Sequence, residues 1–126
     1  MNRITTGLIA ILASLALLFV GAAPAEALVK RPISISAYAK HGDAHLKGHV
    51  GPRNTYQRRV VLIQRRICNA GKCTWRNIKT TKTNRHSNYD TKVPLPRRAR
   101  WTYRAAVRAS GPYAFSTSKA ITIFWT

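Results

Sequence analysis

The chain predicts an all-β fold: a single antiparallel two-sheet sandwich of about seven short strands over residues 28–126. Three observations predict it. Apolar residues recur with period two, turn signals separate the runs, and no window after residue 27 carries the 3.6-residue period of an amphipathic helix. A closed barrel is the weaker arrangement of the same strands.

The elements follow in order. Ile33-Ser34-Ile35-Ser36-Ala37-Tyr38 alternates apolar and polar, as a half-buried strand does. Ala44, Leu46, Gly48 and Val50 alternate with His45, Lys47 and His49 until Gly51-Pro52 stops the run. Val60-Val61-Leu62-Ile63 is continuously apolar and β-branched, the pattern of a central strand. Trp75 to Thr83 returns from a hairpin centred on Ala70-Gly71. Tyr89, Thr91 and Val93 share a face before Pro94-Leu95-Pro96 ends that strand. Trp101, Tyr103, Ala105 and Val107 alternate with Thr102, Arg104, Ala106 and Arg108, the clearest alternation in the chain. A closing strand runs from Ala120 to Trp125.

Residues 1–27 have the form of a cleaved signal peptide. Met1-Asn2-Arg3 is a short positive start, Gly7 to Val20 is uncharged and apolar, and Ala25-Glu26-Ala27 has the small-x-small form of a peptidase site. Cleavage is expected between Ala27 and Leu28, with Ala25 as the second choice. The apolar stretch is short for a bilayer span, which takes roughly 20 residues. The expected location is therefore outside the cell, including its envelope.

In an exported protein, Cys68 and Cys73 read first as a disulfide. With Ala70-Gly71 at the centre of a two-residue turn, they form the second, non-hydrogen-bonded pair of the hairpin, whose side chains approach most closely. A glycine bulge at Gly71 would instead set Cys68 opposite Lys72. Two thiolates without clustered histidines fall short of a tetrahedral metal set.

Val61-Leu62-Ile63-Gln64-Arg65-Arg66, then Trp75, Thr83, Tyr89 and Tyr103-Arg104, resembles a pattern in small secreted bacterial Ig-like domains. In those the string runs Val-x-Leu-Gln-Arg, a hairpin, a Trp, a Thr, a Gly-x-Tyr and a Tyr-Arg. The resemblance implies an Ig-like sandwich and a non-catalytic extracellular module. Ser87 departs from it, standing where the family pattern has Gly.

The residue inventory argues against an enzyme. After the leader only Asp43 and Asp90 remain as carboxylates, and Asp43 sits in a turn where Asp is ordinary. Paired-carboxylate hydrolysis needs two acids flanking one bond. His41, His45 and His49 are spaced by four, but on a strand His45 and His49 lie about 13 Å apart, too far for one ion. No serine sits in a Gly-x-Ser-x-Gly elbow, and no glycine-rich phosphate loop exists. The reading calls for no cofactor and no metal.

What stands out is charge. Lys and Arg number 22 against 3 Asp and Glu, a formal net charge of +19. Such a domain repels itself, so the bias points to solubility and to attraction for polyanions. Arg predominates, and its planar fork suits bidentate contacts to phosphate and carboxylate. The candidate contacts are Arg58, Arg59, Arg65, Arg66, Lys72, Arg76, Arg97, Arg98, Arg100, Arg104 and Arg108. Adjacent strand residues point to opposite faces, so one of Arg65-Arg66 points inward unless the Cys hairpin projects beyond the sandwich, as we expect it to. The hairpin register pairs Arg66 with Trp75, offering an Arg–aromatic contact; read as core, Trp75 faces the other way.

The expected partners are anionic polymers or an anionic membrane surface: teichoic acids, acidic polysaccharide, anionic lipid or nucleic acid. Two competing readings are a cationic antimicrobial protein acting on membranes, and a protein–protein adhesion or inhibitor module pairing through the Ile121–Trp125 edge. A third alternative is a solvated, evenly charged coat with no single partner: basic residues in every segment rather than in one patch favour it, and the near absence of interspersed acids resists it.

Overall fold

The computed structural model describes residues 28–125, and the leader expected at 1–27 lies outside them, Leu28 being the first described. The described chain is all-β, with two antiparallel sheets and no helix. Its strands are β1 (Ser36–Lys40), β2 (Asp43–His49), β3 (Val60–Asn69), β4 (Lys72–Lys82), β5 (Asn88–Val93), β6 (Arg100–Val107), β7 (Ser116–Thr117) and β8 (Ile121–Phe124). One sheet has the order β1-β2-β5. The other has the order β4-β3-β6-β7, with β8 also pairing β6.

The predicted strands fall on these elements with two corrections. There are eight strands rather than seven, because a two-residue piece, β7, pairs Ala106 and Val107 of β6 ahead of β8. The hydroxyl of Ser118 accepts from the Ala105 amide between the two pieces, which splits this edge. The first strand begins at Ser36, not Ile33. Upstream of it the chain leaves one sheet for the other: Val29 bridges Tyr113, and Ile33 makes only an isolated bridge to Val50.

The core follows the alternation. Leu46 and Val50 from β2 and its end, Tyr89 and Val93 from β5, Val61 and Ile63 from β3, and Tyr103, Ala105 and Val107 from β6 meet between the sheets. β3 is central, flanked by β4 and β6, as its unbroken apolar run predicts.

Two hairpins close through two-residue turns with both φ angles positive, His41-Gly42 (51° and 79°) and Ala70-Gly71 (52° and 79°). That geometry matches the right-handed twist of the strands it joins. Ser87 takes φ 62°, a left-handed conformation that favours glycine. The turn forms with Ser87 buried: its hydroxyl accepts from the Tyr56 amide and its carbonyl from the Val50 amide.

Three buried tyrosines tie backbone ends together. Tyr103 donates to the Pro94 carbonyl (2.7 Å), Tyr89 to Ser34 (2.7 Å) and Tyr56 to Val60 (2.6 Å). The Tyr89 bond exists because Gly48 lets the Ser34 segment approach β2. A Cβ at Gly48 would stand 1.9 Å from the Ser34 carbonyl oxygen and 2.6 Å from the Tyr89 hydroxyl.

Gly48→Ala is therefore expected to destabilise the fold by about 3 kcal/mol or more, measured by urea denaturation. Parent-like stability would contradict the close approach. The buried phenols set an alkaline limit. Burial raises the pKa of Tyr89, Tyr56 and Tyr103 above 10.0, opposed in part by Arg31, Arg59 and Arg108 at Tyr56 and by Arg65 at Tyr103. Unfolded tyrosines ionise near pH 10 while these hold their protons, so above that pH the unfolded state binds fewer protons. Their contribution to stability is full below about pH 10 and is lost as pH rises through the folded values. In an alkaline titration, phenolate absorbance from these three should appear together with loss of tertiary circular dichroism. Smooth ionisation in a folded protein would refute this.

Candidate functional site

Strand alternation sorts the cations. On the five-stranded sheet, Val61, Ile63, Tyr103, Ala105 and Val107 face the core, so Gln64, Arg66, Thr102 and Arg104 face outward from β3 and β6. β4 adds Trp75 and Asn77, opposite Arg66 and Gln64, and β8 adds Thr122 and Phe124, opposite Thr102 and Arg100.

Side chains on this face hold one another. The Arg104 Nε donates to Gln64 Oε1 (2.7 Å), and Gln64 Nε2 donates to Asn77 Oδ1 (2.8 Å). The Arg104 guanidinium lies over the Trp75 ring, 4.4 Å from its centroid. Trp75 is thus half-buried on the outer face, outside the core cluster, and the cation on its ring is Arg104 rather than its cross-strand neighbour Arg66. Partial burial lowers the Arg104 pKa from its usual value, yet an Arg guanidinium stays charged in proteins. Arg100 covers Phe124 at 4.5 Å. Thr102 and Thr122 share a hydrogen bond across the strands (2.8 Å).

The β3–β4 hairpin has the register expected of it: Cys68 opposite Cys73, joined by a disulfide, with Asn69 opposite Lys72 at the turn. Residues Cys68 to Thr74 are exposed, and the last β3–β6 pair is Arg65–Tyr103, so the distal hairpin extends past that ladder. Arg66 faces outward. Arg65 faces the inner side at the end of the sandwich, half-buried, with its guanidinium 4.0 Å from the Trp101 centroid. Arg76 stands directly opposite Arg65.

The remaining predicted cations lie elsewhere. Arg58 and Arg59 precede β3, eight and seven residues from Arg66, roughly 23–26 Å at ~3.3 Å per residue. Arg59 approaches the Tyr56 ring at 5.8 Å, and Arg108 also acts on Tyr56 from the end of β6. Arg97 and Arg98 are exposed in the β5–β6 connection, with Arg97 beside Lys92 and Asp43. Arg65, Arg66, Lys72, Arg76, Arg100 and Arg104 thus share one end of the molecule, Arg66, Arg100 and Arg104 on the outer face of the sheet and Arg65 and Arg76 on its inner side; the other five do not join them.

Both described acids lie on the opposite side of the molecule. On β2 and β5 the core takes Ala44, Leu46, Tyr89 and Val93, which leaves Asp43, His45, Lys47, Asp90 and Lys92 outward. Asp43 pairs with Lys92 (3.3 Å). Asp90 accepts from Tyr38 and stands 3.2 Å from His45 Nδ1, the Tyr38 bond raising that phenol's pKa. His45 and His49 are outward-facing, and His49 Nδ1 lies 2.7 Å from Asn88 Oδ1. Among the described residues, no three His, Cys, Asp or Glu side chains gather as a metal site.

One functional-looking residue escaped the sequence reading. Arg31 is 5% exposed, with its guanidinium 3.8 Å from the Tyr113 centroid and 4.9 Å from that of Tyr56. Its Nη1 donates to Gly51 O (3.1 Å) and Thr55 Oγ1 (2.9 Å). The partners are far away in sequence, so no local signal marks this residue.

Comparison of the chain with family models, curated proteins and solved structures finds no significant match.

Removing the hairpin bridge with Cys68→Ser and Cys73→Ser together should cost about 2 kcal/mol, the chain-entropy value for so small a loop. Denaturant midpoints of the oxidised parent and the double variant measure it. Equal midpoints would show that the bridge contributes nothing to the arm.

Proposed function

We propose that this protein is a secreted, non-enzymatic, Ig-like module that binds anionic polymers through the outer face and hairpin arm of its five-stranded sheet. The observation that carries this reading is the separation of charge. Both described carboxylates are paired on the small sheet, while Arg65, Arg66, Arg76, Arg100 and Arg104 have no ion pair among the described residues. The Arg65–Arg76 cross-strand pair strengthens it. Like charges directly opposite each other destabilise a sheet, and an external anion relieves that repulsion.

Strand order and one hydroxyl support the Ig-like part. A β1-β2-β5 sheet against β4-β3-β6 and its β7/β8 edge follows the ABE and C′CFG order of such sandwiches. Tyr103 on β6 donates to the Pro94 carbonyl nine residues upstream, in the manner of a tyrosine corner. The disulfide suits an oxidising compartment.

The test is retention on immobilised anionic polymers (a teichoic-acid-type polyphosphate, an acidic polysaccharide and DNA) across a salt series. Affinity should fall steeply, with a slope of about −0.9 per phosphate neutralised on duplex DNA. The triple variant Arg66→Gln, Arg100→Gln, Arg104→Gln should bind at least about tenfold more weakly, while Arg58→Gln with Arg59→Gln should lose much less. Flat salt dependence, or equal losses in the two variants, would remove the proposal. Dye release from anionic vesicles would favour the membrane-disrupting reading instead.

A further inference from the structure

We infer that the gap between β3 and β6 at the hairpin end is a site for a single multiply charged oxyanion group of the phosphate or sulfate class. The inference rests on the polyanion reading above and gives that surface a discrete subsite.

The gap has a structural origin. The β3–β6 ladder ends at Arg65–Tyr103. Beyond it, Arg66 to Cys68 pair only with β4, and Arg100 to Thr102 pair only with β8. The register shift at Ile63/Gln64 leaves Ile78 as an extra residue on β4, and such a bulge bends its strand and increases the local twist. Beside this end of the ladder lies a cleft of about 340 Å³ lined by Arg65, Arg66, Cys68, Arg100, Trp101 and Thr102, a size suited to a small ligand.

Its chemistry points to an anion of more than one charge. Arg65 and Arg66 are adjacent in a strand, so their guanidinium groups flank the cleft from opposite faces of the sheet. Arg100 contributes to the far wall with its guanidinium seated toward Phe124 of β8, and none of the three has a carboxylate partner among the described residues. Two are held in place beforehand, Arg65 on Trp101 and Arg100 on Phe124, so less side-chain freedom is lost on binding. The facing strand edges, unpaired toward each other, bring backbone N–H donors to the same gap. A single carboxylate matches one such fork; a phosphate or sulfate group offers oxygens and charge for more than one cation together with the backbone donors. The Cys68–Cys73 bridge fixes the hairpin that forms one wall.

The probe is inorganic pyrophosphate, titrated into the purified protein at near-physiological salt and followed by amide NMR shifts and calorimetry. One saturable site is expected, with shifts concentrated at Arg65–Cys68 and Arg100–Thr102. Arg66→Gln and Arg100→Gln, both at exposed positions, should each weaken it about tenfold, and Arg97→Gln with Arg98→Gln should leave it unchanged. Acetate should bind at least about tenfold more weakly than pyrophosphate. Displacement by soluble short-chain polyphosphate, or by vesicles carrying phosphomonoester headgroups, supports the site and tells whether the group arrives on a chain or a membrane. Shifts spread equally over Arg58–Arg59 and Arg97–Arg98, or equal losses in all variants, would overturn it. In that event salt-sensitive polymer retention still stands as evidence for the broader face; loss of that retention with a localised pyrophosphate site would remove the face and keep the cleft.

Discussion

The shortage of negative charge governs how this fold is held together. With 22 Lys and Arg against 3 Asp and Glu, carboxylates cannot neutralise the guanidinium groups that packing brings near one another. Aromatic faces and backbone carbonyls take their place. Arg31 makes the point most fully: a nearly buried cation lies between Tyr113 and Tyr56 and donates to the Gly51 carbonyl. Burying a charge costs several kcal/mol unless it is paired or otherwise solvated. Here ring quadrupoles and a carbonyl dipole supply the negative potential. In exchange, the segment after residue 28 is fastened to the loop that follows β2.

The same shortage gives the molecule two unlike sides. Asp43 and Asp90 are both used within the small sheet, where Lys92, His45 and Tyr38 surround them. No described acid remains for the large sheet. There, Arg65, Arg100 and Arg104 rest on Trp101, Phe124 and Trp75. A guanidinium on an aromatic ring keeps its full charge and its in-plane N–H groups while its position is fixed. An even cationic coat would need none of this fixing, since solvated Lys and Arg side chains on a repulsive surface spread apart on their own.

Much of the architecture was legible in the sequence because strand alternation is local. The apolar run at Val60–Ile63 marked the central strand, and the Trp101–Arg108 alternation marked which β6 residues face out. The Cys68–Cys73 register followed from counting outward from Ala70-Gly71. The misses were set by contacts that counting does not reach. Ile33 and Ile35 look like strand, and Ile33 and Ser34 do continue alongside β2, bridging Val50 and donating to the His49 carbonyl; the ladder is broken where the Ser34 carbonyl packs on Gly48 and accepts from Tyr89, so the regular strand begins at Ser36. Trp75 could not be assigned because its cation comes from Arg104, two strands away and on a diagonal. Ser87 takes a left-handed conformation that favours glycine, and its buried hydroxyl and carbonyl accept from the Tyr56 and Val50 amides there. The grouping of six of the eleven predicted cations depends on where the β3–β6 ladder stops, which alternation does not encode.

The buried tyrosines complete the argument about charge. Tyr56, Tyr89 and Tyr103 each end on a backbone carbonyl, of Val60, Ser34 and Pro94. Their hydroxyls therefore satisfy carbonyl oxygens at strand ends without any acidic side chain, in a protein that has almost none. Much of the polar closure of the sandwich is achieved with neutral donors; among the guanidinium groups, Arg31 and Arg104 donate to the protein's own acceptors. Arg65, Arg100 and Arg104 are held on rings at one end of one sheet, and neither described carboxylate pairs with them. A stability-driven surface would have interspersed acids among them. Arg65 and Arg76 stand opposite each other with no counter-charge from either described acid, on an arm that a disulfide closes, an arrangement that works against the strand pairing rather than for it.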